Sequence, residues 1–454
     1  MRVIIIGCTF AGMTAASQIL RSHPETEVTI YDRNAVVPSI TYDINDYDDQ
    51  DAEQPRLRTE LSSDQLSIKG ADIKMGSLVM GVDPTQKTIK VMGMLDDATS
   101  EEHYDKMIIA TDSRSEAPAL KGIDSSNVTL IKDQQDAKAA LLLSVIDQQI
   151  AVIGNDPLSL GLVDAYRQKG KEVTLFTTGE PILHHNFEEE YSKRALDILT
   201  ADNIKVVTDE HVTELDDNGI GITVATDGGS YSVSRAIVAA GQKPDTSIFE
   251  GVVEMDENGV IAVNEFIQTS DPDIYAIGGS TTIHYNPTGK DIYKPQPTEA
   301  VRQAIIVAQN INGGQVKDSG TQLSMSLNLD GTYMASLGLT YERAKAAGFD
   351  ADVVTIEDNY RPEFMPTTTP VFMTLVWEKG TRRILGAQFM SKHDVSQSAN
   401  LVSVCIQNRN SIDFLAYVDT LFQPNFDRPF NYVNLLAQAA VAKEDKKVSK
   451  SSRR

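Results

Sequence analysis

Sulfur, excess positive charge and long apolar runs are what this sequence has least of. Among 454 residues only Cys8 and Cys405 are cysteines, so no disulfide framework can be built. Acidic side chains number 64 against 41 basic ones, and the net charge of −23 repels nucleic-acid backbones and anionic membranes alike. Neither is expected as a partner. No apolar run approaches the length that spans a bilayer. The start of the chain lacks the basic, apolar and small-residue pattern of a signal peptide, and a cytoplasmic protein is expected. The loop 43–53 has five acids in its last nine residues, but not the regular spacing and placed glycine of a calcium loop. It reads as a solvated acidic loop, and no metal site is expected. What is present is an ordinary balance, 41% hydrophobic and 23% charged, over a length that implies two or three domains.

The chain is organised around its first 33 residues. Val3 to Ile6 is a continuous apolar run, as in a strand buried on both faces. Gly7 allows a tight turn, Gly12 lets the following helix pack closely, and Met13 to Leu20 carries an apolar stripe. Ser22-His23-Pro24 ends that helix, and Val28 to Tyr31 forms a second strand. Asp32 follows twenty residues after Gly12, where a carboxylate can hydrogen-bond an adenosine ribose. Thr9 stands at the middle glycine of the G-x-G-x-x-G pattern.

Further strands are expected near Ile73 to Val82, Thr88 to Met94 and Tyr104 to Ser113, with helical spacing from Asp136 to Ile146. A second unit of the opening kind begins at Ile150-Ala151-Val152-Ile153-Gly154 and closes at Glu172 to Thr177. Only its first glycine survives; Asp156 and Ser159 fill the other two places. Asp156 aims a carboxylate toward any pyrophosphate, Pro157 removes an N–H donor, and Thr177 stands where the ribose-binding acid belongs. The strand-and-turn landmarks Ala236 to Asp245 and Asp273 to Gly279 lead to a helix near Thr298 to Ile311. Beyond Asn312-Gly313-Gly314, strands near Val353, Val371 and Ile384 with helices from Asp394 and Tyr432 suggest an α+β domain. The charged tail 443–454 is expected to be disordered.

With these landmarks placed, the chain resembles the pyridine nucleotide–disulfide oxidoreductase family, in particular its branch of NADH oxidases, NADH peroxidases and coenzyme A disulfide reductases. The likeness runs from Gly7-Cys8-Thr9-Phe10-Ala11-Gly12 through Met390-Ser391-Lys392 and Ser396 to Asn400, ending at Leu421 to Tyr432. It implies an α/β protein with two Rossmann-like domains, of FAD and NAD type, and a C-terminal α+β dimerisation domain, arranged as in glutathione reductase. The implied boundaries are 1–115 and 244–316 for the FAD-binding domain, 116–243 for the NAD-binding type and 317–442 for dimerisation. A homodimer through the C-terminal domain is implied too. So are the cofactors FAD and NADH, with contacts at Gly7, Thr9, Phe10, Ala11, Gly12, Asp32, Arg33, Ala110, Thr111, Lys132, Gly278 and Gly279, and further at Gly154, Leu158, Ser159 and Gly241.

Family chemistry passes hydride from NADH to the flavin, then electrons onward through one redox cysteine. Tyr42 occupies that cysteine's place, and a phenol forms neither a sulfenic acid nor a mixed disulfide. The supporting histidine is replaced by Phe10. Cys8 lies in the phosphate loop and Cys405 in the C-terminal domain, and neither is a substitute. The family's Gly-Asp pair, whose aspartate bonds the flavin's ribityl chain, is Gly278-Gly279, and its Ala-Thr-Gly turn is Ala110-Thr111-Asp112. Two readings follow. One is an NADH oxidase-like flavoprotein whose weak activity releases peroxide. The other is a non-catalytic paralogue that keeps fold and dimer as a binding or regulatory protein.

Overall fold

Val3 and Ile5 point to one apolar layer and Ile4 and Ile6 to another, and all four are buried. That alternation is why an unbroken apolar run makes a central strand. The computed structural model describes residues 1–35, 67, 69–177, 179–201 and 204–451. They form two units, Met1–Pro118 with Ala240–His284 and Asp291–Gly320, and Ala119–Ala239 with Tyr285–Lys290 and Thr321–Arg454.

In the first unit a parallel sheet runs Ile274–Ala276, Lys106–Ile109, Arg2–Ile6, Glu27–Asp32, Ala71–Met75. Helices Phe10–Ser22 and Pro297–Asn310 cover the Val3 and Ile5 face. The opposite layer joins Ile4 and Ile6 to Val79, Ile89 and Val91. These come from the antiparallel strands Ser77–Asp83 and Thr88–Gly93, with Thr99–His103 at the edge. The single strand expected over 73–82 is two strands, because Gly76 (φ 65°) turns the chain from one sheet into the other.

The second unit contains another parallel sheet, Lys205–Val207, Glu172–Phe176, Gln149–Ile153, Arg235–Ala239, Val128–Ile131. It also holds a five-stranded antiparallel sheet, ordered Met325–Leu329, Thr332–Gly338, Ile384–Ser391, Pro370–Glu378, Ala351–Asn359, with helices Ser396–Gln407 and Tyr432–Ser451. Helix Gln134–Leu143 stops short of the expected Ile146: the buried Ser144 hydroxyl donates to the Ala140 carbonyl at 2.6 Å and ends the turn.

The expectation of disorder from Lys443 is corrected as far as Ser451, where the last helix ends. Lys443 pairs with Asp352 at 3.0 Å, and the buried Trp377 indole donates to Glu444 Oε2 at 3.1 Å. Two anchors in its first polar residues outweigh the poor hydrophobicity of the segment. No helix among the described residues is long and apolar enough to cross a membrane.

Candidate functional site

Strand Arg2–Ile6 ends at Gly7, whose φ of 112° favours glycine. A Cβ there would collide with the Ala110 carbonyl oxygen and lie 3.0 Å from Thr111 N. Gly12, in the first helical turn, has its own close approach, since a Cβ would strike the Gly7 carbonyl oxygen. Between them Thr9 caps the helix: its Oγ1 accepts from Gly12 N at 3.2 Å and donates to Ala110 O at 2.9 Å. The cap is a neutral hydroxyl, and the first turn carries no acidic residue. Such a helix entrance attracts anions through its backbone N–H groups and its dipole.

Asp32 closes the second strand and is buried, with Oδ2 accepting from Cys8 N at 2.7 Å and Oδ1 from Asn34 N at 2.8 Å. Those bonds fix the carboxylate while each oxygen keeps a second lone pair for another donor. A cavity of about 150 Å³ is lined by Gly7, Thr9, Asp32, Arg33, Val79 and Thr111 among others. At its rim Arg33 pairs with Asp245 at 2.7 Å. Glycine cradle, neutral helix entrance and fixed carboxylate fit the adenosine diphosphate half of FAD.

The predicted residues of this unit converge. Ala110 and Thr111 follow strand Lys106–Ile109, and Thr111 Oγ1 lies 3.1 Å from Ser280 Oγ, beside the Gly278–Gly279 turn. A Cβ on Gly278 would come within 3.1 Å of Ala11 Cβ. Phe10 is the first residue of the helix. Gly241 opens strand Gly241–Pro244 in the same unit but is exposed and does not line the cavity. Tyr42 and the acidic loop 43–53 lie outside the described residues.

Lys132, Gly154, Leu158 and Ser159 belong to the second unit. Lys132 pairs with Asp133 beside it. Gly154 ends strand Gln149–Ile153, and Pro157 opens helix Pro157–Gln168. Here the cap is a carboxylate: Asp156 Oδ1 accepts from Ser159 N at 2.8 Å. Ser159, at the third glycine's place, is fully buried, and its Oγ has no hydrogen-bond partner among the described residues. The Thr177 hydroxyl donates to Thr208 O at 3.2 Å and is spent on neighbouring backbone rather than on a ribose. With a carboxylate cap and a buried Ser159, this turn is a poorer pyrophosphate site than the first.

Both cysteines sit where the thiolate is disfavoured. Burial, with the Asp32 charge adding to it, pushes the Cys8 thiol up to about 12, and burial alone pushes Cys405 up to about 11. A buried protonated thiol is a poor nucleophile.

Sequence reasoning passed over three features. Val79, in strand Ser77–Asp83, and Asp245, just after strand Gly241–Pro244, reach the cavity from far away in the chain. Asp112 meets the Gly279 turn across 167 residues, a proximity no local pattern carries. Glu180, His184 and His185 bring possible ligand atoms within 4.8 Å, but His184 is already bound to Glu180 at 2.8 Å and to the Pro181 carbonyl at 3.0 Å.

Residues 1–304 match the pyridine nucleotide-disulphide oxidoreductase family and residues 331–432 its dimerisation domain. The chain belongs to this family, whose members use FAD and NADH. It is 37% identical over 443 residues to an NADH oxidase of Enterococcus faecalis, covering 97% of this chain and 99% of that one. An NADH oxidase of Streptococcus pyogenes is 30% identical over 455 residues, with the same coverage of 97% and 99%. Among solved structures, the water-forming NADH oxidase from Lactobacillus brevis bound to NADH superposes with a TM-score of 0.93 at 42% identity, covering 99% of this chain and 100% of that one. The expected α/β fold with two Rossmann-like domains and a dimerisation domain is the fold of this family.

Proposed function

We propose that this protein is an FAD-holding, NADH oxidase-like flavoprotein that works without the family's sulfur relay. FAD held at the first turn would supply a two-electron relay, by which NADH, a proton and oxygen would give NAD⁺ and hydrogen peroxide. The observation that carries the reading is the pairing of an uncrowded first turn with two thiols buried in the fold. Gly7 and Gly12 leave room for the pyrophosphate, Thr9 adds no charge there, and Asp32 offers its remaining lone pairs to a ribose. Cys8 and Cys405 are too deeply buried and too basic to form the thiolate that carries electrons beyond peroxide. Phe10, where the family has histidine, has no proton to exchange. Pairing of the 331–432 segments as a homodimer and a cytoplasmic setting belong to the same reading.

Slow turnover follows from the second turn, where Asp156 faces the place of the NADH pyrophosphate. Two unit charges 4 Å apart near a protein surface repel by about 4 kcal/mol. The same carboxylate favours a second reading, a non-catalytic paralogue that keeps fold and dimer as a binding or regulatory protein. An oxygen electrode with peroxide detection separates them. One peroxide released per oxygen consumed supports the oxidase reading. Absence of NADH-dependent oxygen uptake by yellow protein supports the second reading, and four-electron reduction to water contradicts both.

A further inference from the structure

The resemblance set out above places a glycine at 112 and an aspartate at 279, and this chain has the two residue types exchanged. We propose that Asp112 supplies to the ribityl hydroxyls of FAD the carboxylate that the family carries on residue 279. The inference rests on the proposed binding of FAD.

The geometry is that of a side chain relocated across a gap. A Cβ built on Gly279 would fall on Oδ1 of Asp112, well inside van der Waals contact, and 2.9 Å from Ser113 N. The Asp112 carboxylate therefore fills the volume that a side chain at 279 would enter. Gly279 is what leaves room for it.

The backbone around Asp112 is built to aim it. Its φ of 62° lies in the left-handed region, which aspartate tolerates better than most residues. Ser280 Oγ accepts from Asp112 N at 3.1 Å, and the Asp112 carbonyl accepts from Asp245 N at 3.0 Å. Across the turn the Tyr293 hydroxyl donates to the Gly279 carbonyl at 2.9 Å. Burial raises the Tyr293 phenol above its ordinary range, and the nearby Asp112 charge raises it further. A hydroxyl chain entering there would meet the Asp112 carboxylate in the place where the family's aspartate projects from the other loop. Seen as two separate changes, Asp112 and Gly279 look like losses. In the folded chain each is the condition for the other.

The test is a swap cycle on apoprotein, with FAD affinity read by quenching of flavin fluorescence. D112G keeps the left-handed backbone comfortable and is expected to weaken FAD binding about tenfold to a hundredfold. D112N, which keeps size but not charge, is expected to weaken it by several-fold. G279D alone puts two carboxylates in one place and is expected to lose at least as much as D112G. The D112G/G279D double variant is expected to return to within about threefold of the parent, far from the product of the two losses. Unchanged affinity in D112G, or a double variant no better than its parents, overturns the assignment while leaving FAD binding intact. Failure of the unmodified protein to take up FAD overturns both the assignment and the functional reading beneath it.

Discussion

The turn after strand Arg2–Ile6 and the turn after strand Gln149–Ile153 are built to one plan, yet their helix entrances differ in charge. The first is capped by the hydroxyl of Thr9 and the second by the carboxylate of Asp156. At the third glycine's place the first turn keeps Gly12, pressed on the Gly7 carbonyl, while the second has the buried Ser159. At the close of the second strand the first unit has Asp32, held by two backbone N–H groups. The second unit has Thr177, whose hydroxyl is spent on neighbouring backbone. Fold and ligand are separable: strand, turn and helix need apolar alternation and one glycine, whereas a pyrophosphate needs a neutral, uncrowded helix entrance as well.

Making the first turn resemble the second is the largest disturbance. Gly12→Ser forces a Cβ into the Gly7 carbonyl, and FAD uptake is expected to fall more than about a hundredfold, with destabilisation of about 2 kcal/mol or more. Reconstitution with FAD and a denaturant melt measure the two effects. Asp32→Ala comes next. It removes a ribose acceptor and strands the buried Cys8 N–H, for a loss of about 1.5–3 kcal/mol, roughly ten- to a hundredfold in FAD affinity.

The reverse experiment improves the second turn. Asp156→Gly removes the carboxylate from the entrance of helix Pro157–Gln168 and is expected to raise NADH affinity about tenfold in calorimetric titration. The smallest effect is expected from the thiols. Cys8→Ala and Cys405→Ala should leave NADH turnover within about twofold, because neither carries electrons. Their pKa values do predict a stability trend. Both are raised from about 9 in the unfolded chain, to about 12 for Cys8 and about 11 for Cys405. Between those values the unfolded chain has lost a proton that the folded chain keeps. Their contribution is complete below pH 9 and is lost as pH rises through 11 and 12. Melts of the two alanine variants should show a shallower loss above pH 9 than the parent.

Much of the plan was legible in the sequence because it rests on local rules. Val3 to Ile6, Gly7, Gly12 and Asp32 announce their strand, turn and acid by spacing alone, as do Ile150 to Gly154 in the second unit. Helix and strand limits set by single contacts were not: Gly76 splits an expected strand, Ser144 ends a helix early, and Trp377 with Asp352 holds the last helix past Lys443. Half of the candidate site was hidden for a similar reason. Asp245 finds Arg33, and Asp112 meets Gly279, only through the fold. Read along the chain, the exchange at 112 and 279 is two damaged motifs; in space it is one carboxylate in one place.

The contrast between the two turns is tested most directly by titrating the apoprotein separately with FAD and with NADH in a calorimeter. The account predicts one FAD per chain with a dissociation constant near or below about 1 μM, and NADH binding weaker by at least about a hundredfold. NADH bound as tightly as FAD, or FAD bound as weakly as NADH, would contradict it.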